Sequence, residues 1–542
     1  MVKRPKGTAE DLFPKAVGLF QAGKLAAAEK ICRKILARHP DHGDTLNLFA
    51  MARAHGGNFE SAVNYLQRAV KSNPLNPAYH SNLGEILGAS GNFEAAKSAF
   101  TQALALQPDH AGHLANLGTA NLHLGIWPEA VAALQSAASL DPNNATVFAR
   151  LGVAMQESRQ LQAAVDAYQT AGRLGLQDPQ TCYNLGTVLA RLDDLDAAIG
   201  AFRQAVQLDT SYQPAYRSLG NIYLKRADYA DAVEMLEQAI ALQPGDMEVL
   251  QDLGSSLIGV ENYEKAISIY QQLVNLKPDS VSQRADLAFA NLCAGNPEAA
   301  LQASSGGLDL KANDTSCLAF KATALNHLER REEAGYLLDF ERLIYQKQFT
   351  APVGFASIEA FNEALFAHVK NHTSLKDSKL NRGLVAGQGT QELFVGEITP
   401  VLKAFQTMIN AAIEGYKQAV PVDASHPFLL SQPSAVHVTC WATLFQSSGF
   451  MDTHFHPPGW LSGVYYPQLP DAVDKRSDAH QGWIEFGRAY YRIASTDTPP
   501  VHLIKPSPGL MVLFPSYFGH RTIPFESSQE RMSVAFDILP RG

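Results

Sequence analysis

The stretch "NLGEILGASGNFEAAKSAFTQALALQPDHAGHLANLG", residues 82–118, begins and ends on the same tripeptide, and the two copies lie 34 residues apart. Leu-Gly pairs with this spacing begin at residues 83, 117, 151, 185, 219 and 253, and an alanine follows each glycine twelve residues later. Extending the alanine column in both directions gives ten units, from Ala28 to Ala334. A fixed period of this length predicts an array of stacked helix pairs.

Small residues at two fixed positions of each unit allow its two helices to approach closely. A proline then ends the second helix in six units, at positions 40, 74, 108, 142, 244 and 278, whereas Leu176 and Thr210 interrupt this column. The pattern resembles the tetratricopeptide repeat. The resemblance implies an α-solenoid over residues 1–348, a superhelix of about ten helix pairs. The resemblance also implies a concave groove, lined by the first helix of each unit, that would bind a peptide or partner protein.

The residue before the Leu-Gly pair is an asparagine in three units, Asn82, Asn116 and Asn184, and Arg150 interrupts the row. An asparagine amide can donate to and accept from a peptide backbone at once, so these residues are candidates for a substrate groove. The row resembles the asparagine ladder in the repeat domain of O-linked N-acetylglucosamine transferases. The alternative is that asparagine is simply tolerated on an exposed helix face.

The repeat register is lost after about residue 348, which predicts a second domain over residues 349–542. Residues 357–370 and 399–420 have helical apolar spacing, whereas from Val436 onward short β-branched and aromatic runs alternate with proline and glycine. Helices followed by several short strands predict an α+β domain with a small β-barrel or two-sheet roll.

Two histidines stand one residue apart in "THFHPPGWLSGVYY", residues 453–466. On a strand, positions i and i+2 share a face, so His454 and His456 can bind one ion. The alternative is two ordinary polar residues on a strand. Further along the chain, His520 follows an apolar run, and Arg531 and Ser533 follow eleven and thirteen residues later.

These residues together resemble the iron(II)- and 2-oxoglutarate-dependent oxygenases, and the phrases "HFHPPGWLSGVYY", "LFPSYFGHRTIPF" and "RMSVAFD" resemble a bacterial subfamily often fused to tetratricopeptide repeats. The resemblance implies a double-stranded β-helix (jelly-roll) core. It also implies iron(II) held by His454, His456 and His520, and 2-oxoglutarate held by Arg531 and Ser533. Tyr465 or Tyr466 could donate to the co-substrate from an adjacent strand, and of the two we predict Tyr465; the alternative is that such a tyrosine only packs in the core. One departure is that His456 stands where the wider superfamily has a carboxylate.

Composition limits the remaining possibilities. The 542 residues are 46% hydrophobic and 18% charged, which is typical of a globular chain of two or more domains. The net charge of −9 does not favour a nucleic-acid partner, and no apolar run is long enough to predict a membrane span. The five cysteines are scattered and odd in number, which favours the reducing cytoplasm. The oligomeric state is left open.

A polypeptide-binding groove joined to an oxygenase domain favours a hydroxylase that acts on a protein or peptide. Aspartyl/asparaginyl hydroxylases combine such repeats with this fold, which is an analogy of architecture. Two alternatives stay open: a peptide-binding scaffold with a catalytically degenerate oxygenase fold, and a three-histidine, cupin-like metalloprotein that does not use 2-oxoglutarate.

Overall fold

A computed structural model describes residues 8–377, 384–385, 387–446, 448–474, 479–490, 492–493 and 500–541. The chain divides into two compact units, Met1–Arg226 with Glu234–Pro244, and Ala227–Val233 with Gly245–Gly542. The second unit contains both the last repeats and the β-rich domain. The boundary between these units therefore lies among the repeats, while the predicted domain boundary at residues 348/349 stays a prediction.

The repeats are built from helices that pair in sequence order. Helices α1 to α20 are Ala9–Gln21, Leu25–Leu36, Gly43–His55, Phe59–Ser72, Pro77–Ala89, Phe93–Leu106, Ala111–His123, Trp127–Leu140, Ala145–Glu157, Leu161–Arg173, Pro179–Arg191, Leu195–Leu208, Gln213–Lys225, Tyr229–Leu242, Met247–Gly259, Tyr263–Leu276, Val281–Cys293, Pro297–Leu310, Thr315–His327 and Arg331–Leu337. The predicted α-solenoid is confirmed.

The glycine of each Leu-Gly pair lies where the two helices of a unit touch. A Cβ atom at Gly84 would lie 2.6 Å from a ring carbon of Phe100, and one at Gly152 would lie 2.5 Å from the ring of Tyr168. The recurring alanine, such as Ala96, is completely buried in the same contact. Any larger side chain at the glycine would push the helices apart, so the repeat retains glycine there.

The C-terminal domain combines three further helices with twelve strands among the described residues. The helices are α21 (Phe340–Leu343), α22 (Ile358–Lys370) and α23 (Pro400–Ala419). The strands β1 to β12 are Tyr345–Gln348, Lys376–Asp377, Leu384–Val385, Gln388–Gly389, Val436–Phe445, Phe450–Met451, Leu461–Gln468, Ile484–Phe486, His502–Ile504, Leu510–Pro515, His520–Thr522 and Arg531–Pro540.

The strands form antiparallel sheets. The large sheet has the order β1-β10-β7-β12-β5-β4-β2, and a smaller one has the order β11-β8-β9, with β3 and β6 as a separate pair. Every strand pair is antiparallel. This arrangement is consistent with a jelly-roll domain, so the predicted fold class is confirmed for this part as well.

The core of the β-rich domain also includes the last repeat. Leu318, Leu325 and Leu337 from α19 and α20 belong to the same buried apolar cluster as Val512 of β10 and Val534 of β12. In addition, β1 precedes residue 349 and pairs with β10, which makes it an edge of the large sheet. The sheet therefore begins four residues before the predicted boundary.

No helix in the described part of the chain combines the length and apolar character needed to span a membrane.

Candidate metal centre

Backbone pairing brings the predicted histidines to one place. His454 and His520 face each other in an antiparallel bridge, in which the N–H of His454 donates to the carbonyl of His520 at 3.1 Å and the reverse bond is 3.0 Å. The N–H of His456 donates to the carbonyl of Ser516 at 2.9 Å. Two short segments, 454–456 and 516–520, are thus fixed side by side.

One nitrogen from each of His454, His456 and His520 lies within 4.8 Å of the other two. The ring centroids are 4.3 Å apart for His454 and His520, 5.0 Å for His454 and His456, and 5.3 Å for His456 and His520. Within the described part of the chain, this is the group whose spacing suits a metal ion. No carboxylate belongs to it.

Hydrogen bonds fix the orientation of all three rings. Nδ1 of His454 donates to the backbone carbonyl of Asp452 at 2.8 Å, and Nδ1 of His520 donates to the carbonyl of Phe518 at 3.0 Å. Nδ1 of His456 lies 2.9 Å from Oδ2 of Asp537. Carbonyl and carboxylate oxygens only accept, so each Nδ1 carries the proton and each Nε2 retains the lone pair that a metal needs.

Burial keeps two of these imidazoles neutral. Loss of solvation, together with the nearby His456, lowers the pKa of His454 to about 3. Burial and the two neighbouring histidines hold the pKa of His520 well below its usual range. Neutral imidazole is the form that binds metal, so the site is ready for a cation at neutral pH without first releasing protons from these two rings.

Asp537 contacts the histidine group and was not among the residues predicted from the sequence. Its carboxylate is 9% exposed, and it accepts from Ser462 Oγ at 2.7 Å on the oxygen that does not face His456. A signal was present, because Asp537 lies six residues after Arg531 on β12 and therefore on the same strand face. A carboxylate behind a ligating histidine orients the ring and makes it a stronger ligand.

Arg531 is a buried cation with few hydrogen-bond partners among the described residues. Its side chain is 1% exposed, and Nη2 lies 3.4 Å from the carbonyl of Gly482, whereas Nε and Nη1 have no hydrogen-bond partner among the described residues. The guanidinium lies 5.6–5.8 Å from the ring centroids of Phe445, Tyr466 and Phe525. Burial lowers its pKa. A buried charge with unpaired donors is costly, so this position favours an anion.

The cavity beside the three histidines is also lined by two of the three residues predicted to hold the co-substrate. Arg531 and Ser533 line it from alternate positions of β12, together with Tyr466 from β7 and Arg521, the residue after His520. The cavity is therefore lined both by the three histidines and by two arginines.

Tyr465 requires a correction. It was predicted to contact the co-substrate, but its hydroxyl donates to Asn362 and its ring packs against Phe361 and Phe405 on the helix-covered side of the sheet. Its neighbour Tyr466 faces the cavity instead. Adjacent residues on a strand point to opposite faces, so Tyr465 and Tyr466 cannot both line the site.

The three groove asparagines lie in the first compact unit, and each is hydrogen-bonded within the repeats. Nδ2 of Asn82 donates to Asn47 at 2.7 Å, Nδ2 of Asn116 donates to Glu85 at 3.1 Å, and Oδ1 of Asn184 accepts from Gln180 at 2.8 Å. The first two bonds join neighbouring repeats, whereas the third lies within one helix. Their role in holding a peptide stays a prediction.

Comparison with known families finds matches in the repeats and in the β-rich domain. Residues 439–537 match the family described as "Putative 2OG-Fe(II) oxygenase". Residues 224–292 match the tetratricopeptide repeat, and residues 20–247 match the cilia and flagella-associated protein 70 C-terminal domain. The chain thus combines tetratricopeptide repeats with a C-terminal domain of this oxygenase family.

Solved structures similar to this chain include several repeat proteins. MamA from Desulfovibrio magneticus RS-1 is 23% identical over 32% of this chain and 97% of its own, with a TM-score of 0.31. YrrB, described as a TPR protein with an unusual peptide-binding site, is 24% identical over 34% and 96%, with a TM-score of 0.32. PilF from Pseudomonas aeruginosa is 20% identical over 39% and 95%, with a TM-score of 0.35. Among curated proteins, none matches this chain.

Proposed function

We propose that this protein is an iron(II)- and 2-oxoglutarate-dependent oxygenase that hydroxylates a protein or peptide recruited by the repeat groove. The observation that carries the proposal is Arg531, a buried cation with unpaired donors, in the same cavity as three histidines that present metal-binding nitrogens. The two ends of this cavity match the two ends of one keto-dicarboxylic acid.

The residues present fit the metal. Three imidazole nitrogens suit iron(II), and a three-ligand face leaves coordination positions open for other groups. The neutral state of His454 and His520 and the carboxylate of Asp537 behind His456 favour binding of a divalent cation. When bound, iron(II) would supply dioxygen chemistry: 2-oxoglutarate and O2 would give succinate and carbon dioxide, with one oxygen atom in the succinate carboxylate and the other inserted into a substrate C–H bond as a hydroxyl group.

The residues present also fit the co-substrate. The planar guanidinium of Arg531 can donate two parallel hydrogen bonds to a carboxylate from its two Nη atoms. Nη1 has no partner among the described residues, and Nη2 has only the 3.4 Å contact with the Gly482 carbonyl. Ser533, two residues further on the same strand face, adds a hydroxyl donor. Such contacts orient the acid and neutralise the guanidinium, while the aromatic rings around Arg531 exclude water and strengthen the interaction.

The proposed substrate class rests on the repeats. Repeats of this type suggest protein–protein interaction, and extended grooves lined by polar side chains such as Asn82 and Asn116 suit a polypeptide chain. A reducing cytoplasmic location agrees with five cysteines that are all free in the structure.

A second candidate is a three-histidine metalloprotein that does not use 2-oxoglutarate, and the all-imidazole ligand group is the observation that favours it. Arg531 favours the oxygenase, because a cupin-like metal site has no need of a buried, unpaired guanidinium in its cavity.

The test is release of succinate from 2-oxoglutarate by the full-length protein with iron(II) and oxygen, first without substrate and then with peptide pools. We expect slow turnover in the wild type and none in Arg531→Ala, with Lys505→Ala as a control that removes an exposed cation elsewhere in the domain. Metal binding without any 2-oxoglutarate turnover or binding would favour the second candidate.

A further inference from the structure

The segment that carries two of the histidines is attached to the last repeat. The hydroxyl of Thr315, the first residue of α19, donates to the backbone carbonyl of Pro457, the residue directly after His456. Thr315 is 8% exposed, whereas Pro457 is exposed, so this bond is partly buried. It joins a repeat helix to the metal-binding loop over 142 residues of sequence.

The residue between the two histidines makes a second attachment. Since His454 and His456 face the cavity, Phe455 points the other way, and its ring meets Phe320 of α19 edge-to-face at 5.4 Å. Phe320 in turn stacks on Phe289 of α17 at 5.4 Å. Edge-to-face and stacked aromatic pairs are directional contacts, so they limit the rotation of the loop as well as its distance from the helix.

The third histidine has a similar support. Tyr517 lies in the turn that leads to His520, and its buried hydroxyl donates to the backbone carbonyl of Leu337, the last residue of α20. Both segments that meet in the antiparallel bridge of His454 and His520 are therefore held by the helix pair α19–α20.

We infer that the last repeat holds the metal centre in its binding geometry, with Thr315 and Phe320 as positioning residues for His454 and His456. The inference rests on metal binding in the proposed function and is independent of whether 2-oxoglutarate is used. A histidine pair on a loop binds metal tightly only when the loop is held in the binding geometry, and here part of that support comes from outside the β-rich sheets.

The experiment is titration of the full-length, metal-free protein with cobalt(II), whose visible absorption reports coordination geometry. Thr315→Val removes the hydroxyl at nearly constant volume, and Thr315→Ser retains it. Thr323→Val is the matched control, because Thr323 lies on the same helix and its hydroxyl donates at 2.9 Å to Ala319 of that helix. Phe320→Leu tests the aromatic contact separately.

We expect Thr315→Val and Phe320→Leu to weaken cobalt binding by about 10-fold, the lower end of the effect of removing a supporting contact. Their cobalt-saturated spectra should differ from that of the wild type, while Thr315→Ser and Thr323→Val should retain both affinity and spectrum. A general loss of stability would lower the unfolding temperature without changing the spectrum of the saturated protein.

Wild-type affinity and spectrum in both Thr315→Val and Phe320→Leu would overturn the inference, as would an unchanged spectrum at saturation with weaker binding alone. If the wild type does not bind cobalt, the three histidines are not a metal centre and the inference fails as well. If the variants behave as expected but the wild type shows no 2-oxoglutarate turnover, the positioning role stands and only the proposed oxygenase function fails.

Discussion

The Nδ1 atom of His456 lies 2.9 Å from Oδ2 of Asp537, a residue 81 positions further along the chain. Through this contact the centre gains a carboxylate next to its histidine face, although no carboxylate is among the three clustered ligands. A carboxylate is therefore present one hydrogen bond beyond the three histidines, where it would stabilise positive charge on a metal bound by His456.

Replacement of Asp537 should weaken the metal centre without removing any of the three histidines. We expect Asp537→Ala to lower metal affinity by about 10–100-fold, and Asp537→Asn to lower it less because an amide oxygen can still accept from Nδ1 of His456. Competition with a chromophoric chelator measures both values. Equal affinity in Asp537→Ala and the wild type would show that the ring needs no such partner.

Arg531 should have opposite effects on stability and on co-substrate binding. In the absence of ligand, a buried guanidinium with two unpaired nitrogens destabilises the fold, so Arg531→Met should raise the free energy of unfolding by about 1–4 kcal/mol. The same variant should lose 2-oxoglutarate affinity by roughly 100-fold or more, because two charge-assisted hydrogen bonds disappear.

Urea unfolding of the ligand-free protein and equilibrium titration with 2-oxoglutarate measure the two effects of Arg531→Met. Loss of stability in this variant would mean that the guanidinium has compensating partners in the protein. Unchanged affinity would remove Arg531 from the co-substrate site.

Substitutions at two adjacent tyrosines should have different effects, one on 2-oxoglutarate affinity and the other on the free energy of unfolding. Tyr466→Leu removes a ring 5.6 Å from the Arg531 guanidinium and should weaken 2-oxoglutarate binding by roughly 10-fold, within the range of a desolvated cation–π contact. Tyr465→Phe leaves the buried oxygen of Asn362 without its donor, which should cost about 1–3 kcal/mol of stability and leave affinity unchanged. The reverse result, with Tyr465→Phe affecting affinity, would restore Tyr465 to the site.

The metal-free protein should be destabilised by acid through its buried histidines. In the unfolded chain an imidazole binds a proton below about pH 6.5, whereas the pKa of folded His454 is about 3, and that of His520 is also lowered. Between these values the unfolded state binds more protons, so the free energy of unfolding falls as the pH falls.

Each such histidine contributes a slope of up to about 1.4 kcal/mol per pH unit in this window. Unfolding free energies measured by urea between about pH 7 and pH 5 should therefore show a shallower slope in His454→Gln than in the wild type. Parallel slopes in the two proteins would mean that His454 is not kept neutral by burial.

The sequence pattern could predict the placements that depend only on local rules, namely the repeat period and the alternation of side chains along a strand. The 34-residue register specified the repeats, and alternation along strands indicated that His454 and His456, and Arg531 and Ser533, would each share a face. Alternation alone does not say which face is inside, so Tyr465 was chosen in place of Tyr466. That choice depends on how β7 pairs with β12, whose register shifts between Met532 and Val534.

Contacts between distant segments lay beyond the pattern. Strand alternation places Asp537 on the same face as Arg531, but nothing in the sequence identifies it as the partner of His456. Nothing in the last repeat indicates that Thr315 reaches Pro457. The strand at 345–348 could not be predicted from the sequence around it either, because its partner β10 begins at residue 510. These features follow from tertiary packing, which one sequence does not specify by periodicity.

Anaerobic addition of 2-oxoglutarate to the iron(II)-loaded full-length protein tests the central claim most directly. Direct binding of the keto acid to iron gives a visible charge-transfer band. We predict that this band forms in the wild type and that Arg531→Ala needs far more 2-oxoglutarate to form it. We also predict no band in three variants that should lose bound iron, His454→Ala, His456→Ala and His520→Ala. A protein that binds iron(II) but gives no band at any 2-oxoglutarate concentration would contradict the account.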